Sequence, residues 1–441
     1  MTAAAGVAVL LLASVSPLVA QDDCIFRIEH VGGQGTTQET PLGTNYFAAG
    51  GVRLFCLGTA VRMESDSVAA YNGGEITYFV GNVHFRDSTM TLDADRGTWY
   101  QAGARWEARG NVFTRNLENG STLSGPHLDY LRNSPGIRDV AEMYAIGRPR
   151  IESATIDSAG NPTEPHVIVA DRVRMRGDDQ MWAGGTVTID RSDFTGRSDS
   201  LWLYSGAAGK GALIGGRPEI EGTGESPYRL VGERIDLELT GGTLSRVVAL
   251  DSAHAVNDQW DLVGDTIAVH LDQDSPDRID AWGKGIRPLA TSDEYTILAD
   301  SVALHFPGGM LSRLDAVGDA KLETGRDSLT GEADWIAGDT VTAWFVAPDS
   351  AGDGSPALER LVATSQARSF RQMRQPTQPM ALPSLSYVRG DMIVITMKLP
   401  PLEGVDRVDV KGQVEGVQLD PEPGQAVPPS PSPASSDQED G

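Results

Sequence analysis

A degenerate two-part repeat runs through most of this 441-residue chain and limits what it can fold into. One part reads small-acid-x-apolar and continues as alternating apolar residues. It occurs at Ser65-Asp66-Ser67-Val68, Ala170-Asp171-Arg172-Val173, Ser198-Asp199-Ser200-Leu201 and Gly232-Glu233-Arg234-Ile235. It recurs at Gly264-Asp265-Thr266-Ile267, Ala299-Asp300-Ser301-Val302, Gly338-Asp339-Thr340-Val341 and Gly390-Asp391-Met392-Ile393. The other part reads Arg-apolar-x-apolar: Arg246-Val247-Val248-Ala249, Arg278-Ile279-Asp280-Ala281, Arg313-Leu314-Asp315-Ala316, Arg360-Leu361-Val362-Ala363 and Arg407-Val408-Asp409-Val410. Recurrence at this period means one small supersecondary unit stacked many times, each burying its apolar face against its neighbours.

The unit is built of strands. Ile235, Leu237 and Leu239 alternate with Arg234, Asp236 and Glu238, and Ile267, Val269 and Leu271 with Thr266, Ala268 and His270. Val302, Leu304 and Phe306 repeat the pattern, as do Ile393, Ile395 and Met397. Period-two alternation puts one face inward and the other outward. Small residues at Gly81, Gly110, Gly147, Gly185, Gly216, Ser252, Gly283 and Gly318 mark the unit starts. Their spacing is uneven, 29 residues from Gly81 to Gly110 and 38 from Gly147 to Gly185. Strands joined by variable turns tolerate that, whereas a stacked helical repeat would lose its packing face. Pro126 stands where the acid usually does, which predicts a strand end or a bulge because proline gives no ladder donor. Each repeated acid, beside a small residue at a strand start, reads as a turn acceptor. The expected fold class is therefore all-β: an elongated antiparallel array of degenerate strand pairs. Its expected divisions are a signal segment (1–20), an N-terminal strand and loop (21–45), a first set of repeats (46–215), further repeats (216–419) and a Pro/Ser/acidic tail (420–441).

Composition narrows the function. The formal net charge is −25, which argues against a nucleic-acid partner, since phosphate backbones are held by clustered Lys and Arg. It also argues against plain electrostatic docking on an anionic membrane. Val7 to Ala13 is an apolar run, followed by Pro17 and by Leu18-Val19-Ala20 before Gln21, which is the layout of an export signal. No Lys or Arg precedes that run, so cleavage at Ala20 and retention as an anchor both stay open. Asp23 in front of Cys24 argues against lipidation. Cys24 and Cys56 are the two cysteines, and in an exported chain they form a disulfide candidate whose loop closure is worth about 3–4 kcal/mol. No Ser-His-acid order, phosphate loop or metal-ligand spacing emerges, so no enzyme activity, cofactor or metal is expected. Gly209-Lys210 is the nearest approach to a phosphate loop, and it has Tyr204 and Gly211 where a glycine and a Ser/Thr belong. His270 and His305 fall on equivalent outward positions, as surface repetition does, and Trp202 and Trp344 also face outward.

The segment from Tyr46 to Val112 carries a resemblance. It holds Gly50-Gly51-Val52, Ser65-Asp66-Ser67-Val68-Ala69-Ala70-Tyr71, Tyr78-Phe79-Val80-Gly81-Asn82-Val83, Leu92-Asp93-Ala94-Asp95 and Trp106-Glu107-Ala108-Arg109-Gly110-Asn111-Val112. The alternation of an aspartate-apolar-tyrosine stretch with Gly-Asn-Val resembles the OstA/LptA-like family of lipopolysaccharide-transport proteins, clearly over 46–115 and weakly to about 346. The resemblance implies a β-jellyroll or half-pipe, possibly two stacked in one chain. It implies a periplasmic bridge from inner to outer membrane that takes lipopolysaccharide or a related lipid in an apolar groove. It also implies partners that are other jellyroll proteins of the pathway, joined by edge-strand pairing, or further copies of the chain head to tail. The groove candidates are then Val173, Met175, Leu201, Leu203, Ile235, Leu237, Leu239, Ile267, Val269, Leu271, Val302, Leu304 and Phe306. The competing expectation is a structural or adhesive β-repeat protein in which the same residues fill a closed core.

Overall fold

The computed structural model describes residues 26–134, 136–153, 165–192, 194–205, 208–223, 227–240, 243–272, 275–327, 329–347, 356–374, 382–399 and 404–421. Strands dominate, every described pairing is antiparallel, and among the described residues the helical segments are the single turns Asn72–Gly74 and Pro307–Gly309. The all-β expectation holds. The signal segment, Cys24 and nearly all of the tail lie outside the described residues.

The repeat builds strands bent in the middle. In Ile76–Arg86 the bend is Gly81-Asn82, both at positive φ (79° and 45°), and in Arg105–Asn116 it is Gly110-Asn111 (73° and 45°). Both residue types enter the left-handed region at low cost. Each pair is a bulge, two residues opposite one: pairing jumps from Val80↔Arg96 to Val83↔Ala94, leaving Asp95 against the corner. The carboxylates of the preceding strand close the corner from the other side. Asn82 Nδ2 donates to Asp66 Oδ2 at 3.0 Å and Asn111 Nδ2 to Asp95 Oδ2 at 3.0 Å.

This corrects the reading of the acid. Asp66, Asp199, Asp265, Asp339 and Asp391 lie inside continuous strands, at the bend, whereas Asp171, Glu233 and Asp300 stand at strand starts as expected. Of the glycines read as unit starts, Gly81, Gly110, Gly185 and Gly318 are corners within strands, whereas Gly147, Gly216 and Gly283 lie between strands. Asp265 shows the acceptor role most fully, taking the N–H groups of Lys284, Gly285 and Ile286 at 2.7–2.8 Å, and these bonds hold its carboxyl below the usual range. At Pro126 the expected bulge is present, since pairing jumps from Arg109↔His127 to Val112↔Gly125.

Two compact units result, Met1–Ile151 with Arg172–Asp178, and Glu152–Asp171 with Asp179–Gly441. In the first, the halves before and after each corner form two walls. The order of one is Gly43–Ala49, Ser67–Tyr71, Ile76–Val80, Arg96–Tyr100, Arg105–Arg109, His127–Leu131, Glu142–Ile146 and Arg172–Arg176. Aromatic rings fill the space between the walls: Phe85 stacks on Trp106 at 5.8 Å, Phe79 lies 5.2 Å from Trp106, and Phe26 lies 5.7 Å from Trp99. Trp99 and Trp106 are wholly buried, with indole N–H groups that have no partner among the described residues. Gly97 makes room for Trp106, because a Cβ there would run into the indole ring. Ring geometry of this kind adds about 0.5–1.5 kcal/mol per pair beyond the area buried.

The second unit uses the same device over a longer run. Its arginine wall runs through Gln180–Gly184, Ser200–Tyr204, Ala208–Ile214, Arg234–Thr240, Thr243–Leu250, Thr266–Asp272, Ser275–Trp282 and Ser301–His305. It continues through Arg313–Val317, Thr340–Val346, Ala357–Thr364, Met392–Met397 and Val405–Lys411. The facing wall takes the other half of each bent strand, together with short strands such as Glu219–Gly222, Tyr228–Val231, Leu289–Thr291 and Tyr295–Leu298. The walls share strands along the corner, and away from it each ends in hairpin turns.

Candidate functional site

Register turns the alternation into continuous apolar rows on the inner face of the arginine wall. The row beside the corner is Leu201↔Leu213↔Ile235↔Ala249↔Ile267↔Ala281↔Val302↔Ala316↔Val341↔Ala363↔Ile393. From Ile235 on, the large member comes from the acid half of the repeat and the alanine from the arginine half. The next row is Leu203↔Gly211↔Leu237↔Val247↔Val269↔Ile279↔Leu304↔Leu314↔Ala343↔Leu361↔Ile395. Leu239, Leu271 and Phe306 lie nearer the rim. All the second-unit groove candidates therefore meet in one interior: Leu201, Ile235, Leu237, Ile267, Val269, Val302, Leu304 and Phe306 are buried, and Leu203, Leu239 and Leu271 are half-buried. Val173 and Met175 belong to the first unit, paired with Ala145 and Met143.

The facing wall supplies the opposite lining: Ile168, Ile189, Phe194, Ile220, Leu230, Leu262, Ile297, Leu322 and Ile336, nearly all fully buried. Sequence reading missed these residues because many sit on half-strands of about four residues, too short to show a period. The available signal was position, since each follows or precedes a corner by a few residues. Between the walls, Ile168, Ile189, Phe194, Leu201, Leu203, Leu237, Leu239 and Leu244 bound a cavity of about 40 Å³, with His166 and Ser205 at its edge. A water molecule's share of the liquid is roughly 30 Å³, so the walls are in near contact here. Toward the rim the space widens. A pocket of about 230 Å³ lies between Tyr228 and Asn257-Asp258-Gln259 on one side and Pro276, Ile279, Phe306 and Gly309 on the other. Further along, Tyr295 and Phe345 touch edge to face across the rim at 6.5 Å.

The outer face of the arginine wall is charged and internally paired. Asp280 is held by Arg278 at 2.8 Å and His270 at 3.1 Å, and Asp315 by Arg313 at 2.8 Å and His305 at 3.3 Å. The two histidines are thus equivalent outward positions, each beside an aspartate. Trp344 stands in the same row between Arg313 and Arg360, whose guanidinium carbons lie 5.7 and 5.3 Å from its ring centre. Exposed pairs of this kind are worth about 0–1 kcal/mol each. They match the surface repetition read from the sequence. Among the described residues no group of three or more His, Cys, Asp or Glu side chains could hold a metal ion. Cys56 is disulfide-bonded, and its expected partner, Cys24, lies outside the described residues. No described helix is long and apolar enough to cross a membrane.

No family model matches the chain, and no curated protein matches it. Among solved structures, the chain is similar to LptH of Pseudomonas aeruginosa, the LptA-homologous periplasmic component of the lipopolysaccharide transport device. The identity is 15%, the match covers 29% of this chain and 94% of that one, and the TM-score is 0.25. A likeness of that size carries no argument about function.

Proposed function

We propose that the second unit is a lipid-binding trough, and that the chain carries lipopolysaccharide or a related acylated lipid across the periplasm toward the outer membrane. One observation carries this reading: two apolar rows run unbroken along the inner face of the arginine wall, from Leu201 and Leu203 to Ile393 and Ile395. Burial of acyl methylenes against such rows is worth about 0.8 kcal/mol each and needs no specific polar contact. The trough is a binding site and not a catalytic one. The walls are tied to each other through the shared corner strands, so separation of the rims opens the interior without breaking a ladder. End strands such as Phe26–Val31 and Glu415–Leu419 offer backbone groups for pairing with a jellyroll partner or a second copy.

The small cavity favours a second reading, a structural repeat protein with a closed core. In-cell photocrosslinking separates the two. A probe at Leu237 and at Leu304 gives lipid adducts if the trough admits acyl chains, while the outward Asp236 gives none. A folded protein with no adduct at any of the three positions would leave the closed core.

A further inference from the structure

Resting on the trough reading, one charged side chain that faces inward stands apart from those that face out. On the strand Ala357–Met373 the facing-wall half alternates strictly: Ala367 and Ser369 are buried and Arg368 is exposed between them. Arg371 continues the inward series and is half-buried near the rim. Its environment is unlike that of the neighbouring cations. Arg374 makes a two-pronged contact with Asp327 (2.6 Å to each oxygen), Lys321 pairs with Glu323, and Arg389 pairs with Glu415 at 2.6 Å. Arg371 has no hydrogen bond or ion pair among the described residues. The carboxylate nearest it in influence, Asp334, is engaged elsewhere, with the Gln372 N–H donating to its Oδ1 at 2.8 Å. Ser386 lies directly across from Arg371 on the next strand, and Ser369 lies two residues deeper.

A half-buried guanidinium gives up part of its hydration, and among the described residues the charge of Asp334 is what offsets this. Burial pushes Arg371 down from its usual range, and Asp334 offsets only part of that; burial likewise pushes Asp334 up, against the Gln372 N–H. Both groups are partly desolvated near the rim. A planar fork of donors with a hydroxyl across from it suits a phosphate or carboxylate.

We propose that Arg371 is the head-group receptor of the trough: it takes the anionic phosphate or carboxylate of an acyl amphiphile whose tail lies along the Leu361–Ile395 rows. Depth fits this orientation, since Arg371 is nearer the rim than the buried Ala367 and Ser369, so a head group there leaves the tail pointing toward the corner.

The test uses the purified full chain with two ligands of equal tail, a dodecyl phosphate and dodecanol, both kept below aggregation, titrated against displacement of an apolar fluorophore. Arg371→Met keeps the apolar stem and removes the charge; Arg371→Lys keeps the charge. The expected result is a loss of about tenfold in dodecyl phosphate affinity for Arg371→Met, the low end for a charge-assisted hydrogen bond at a half-exposed site. Dodecanol affinity should stay within about twofold, and Arg371→Lys should retain most of the phosphate affinity. Equal loss for both ligands, or no loss for either, overturns the head-group role while leaving the trough intact. No displacement by either ligand in the unmodified chain sinks the trough reading itself. Inorganic phosphate that competes as well as dodecyl phosphate would make this a free-anion site and overturn the amphiphile assignment. Thermal unfolding of Arg371→Met unchanged or raised shows that a lost affinity is not lost folding.

Discussion

Truncation of Leu237 and of Leu304 to alanine should have unequal costs, and the difference measures how nearly closed the trough is. Both leucines occupy the second apolar row, both are at least 95% buried, and both have apolar partners on the two flanking strands, Gly211 and Val247 for Leu237 and Ile279 and Leu314 for Leu304. Each substitution removes three carbons, about 2.4 kcal/mol of transfer free energy at roughly 0.8 kcal/mol per methylene. A cavity contribution adds to this at about 24 cal/mol per Å³ of new void, which brings buried leucine truncations to about 3–5 kcal/mol. Leu237 already borders the 40 Å³ void and faces Gly211, so fewer contacts vanish with it. Leu237→Ala should therefore fall near 3 kcal/mol and Leu304→Ala near 4 kcal/mol, a gap of about 1 kcal/mol. Long arrays need not unfold in one step, so the readout is native-state hydrogen exchange at the flanking amides. Dodecanol should restore protection in Leu237→Ala, where the void is enlarged, through preferential binding to the folded form. Equal costs, or a larger cost at Leu237 with no response to dodecanol, would refute the idea that the interior loosens there.

Three other outcomes follow from the described contacts. Gly318→Ala should destabilise by about 1–3 kcal/mol in urea unfolding, because φ there is +86° and the new Cβ would lie 2.5 Å from Asp300 Oδ2; Gly325→Ala, in open space, should cost much less. Trp106→Phe should cost less than its lost area suggests, under about 2 kcal/mol by thermal melting, since it also removes an unpaired buried N–H. Partial burial pushes the Asp327 carboxyl up, but the Thr330 N–H, Arg374 and the Leu329 N–H outweigh it and hold it at about 2. The folded value is thus below the unfolded one, near 3.9. Its contribution is complete above about pH 4 and is lost as pH falls through about 2. Protection of the Leu329 and Thr330 amides, corrected for the intrinsic slowing of exchange toward low pH, should fall over that range in the unmodified chain and show a weaker pH response in Arg374→Met.

The arginine wall was legible in the sequence because its half-strands are long enough to show alternation: Ile235, Leu237 and Leu239 announce both strand and face. Corners were visible only as punctuation. Gly81-Asn82 and Gly110-Asn111 look like turns between strands, since a glycine beside an asparagine signals positive φ without saying whether the chain reverses or merely bends. The facing wall was hidden for a related reason. A half-strand such as Glu219–Gly222 carries a single fully buried apolar side chain, Ile220, and one residue has no period. The inward direction of Arg371 could be counted from Leu361 and Ala363, since the two-residue corner at Ser365-Gln366 preserves parity; its surroundings on the facing wall could not.

The alternation of large residue and alanine along the corner row has a consequence for growth of the array. Ile235, Ile267, Val302 and Val341 each stand next to an alanine of the following strand, so one hairpin is the smallest insertion that preserves the fit. Gain or loss of a hairpin lengthens or shortens the unit by two strand spacings, roughly 10 Å, and leaves its cross-section alone. A single extra strand would set bulk against bulk and reverse the chain's direction at every later rim. The repeat is in that sense a measuring scale with one permitted graduation, and lineages of such chains should differ in span by whole hairpins.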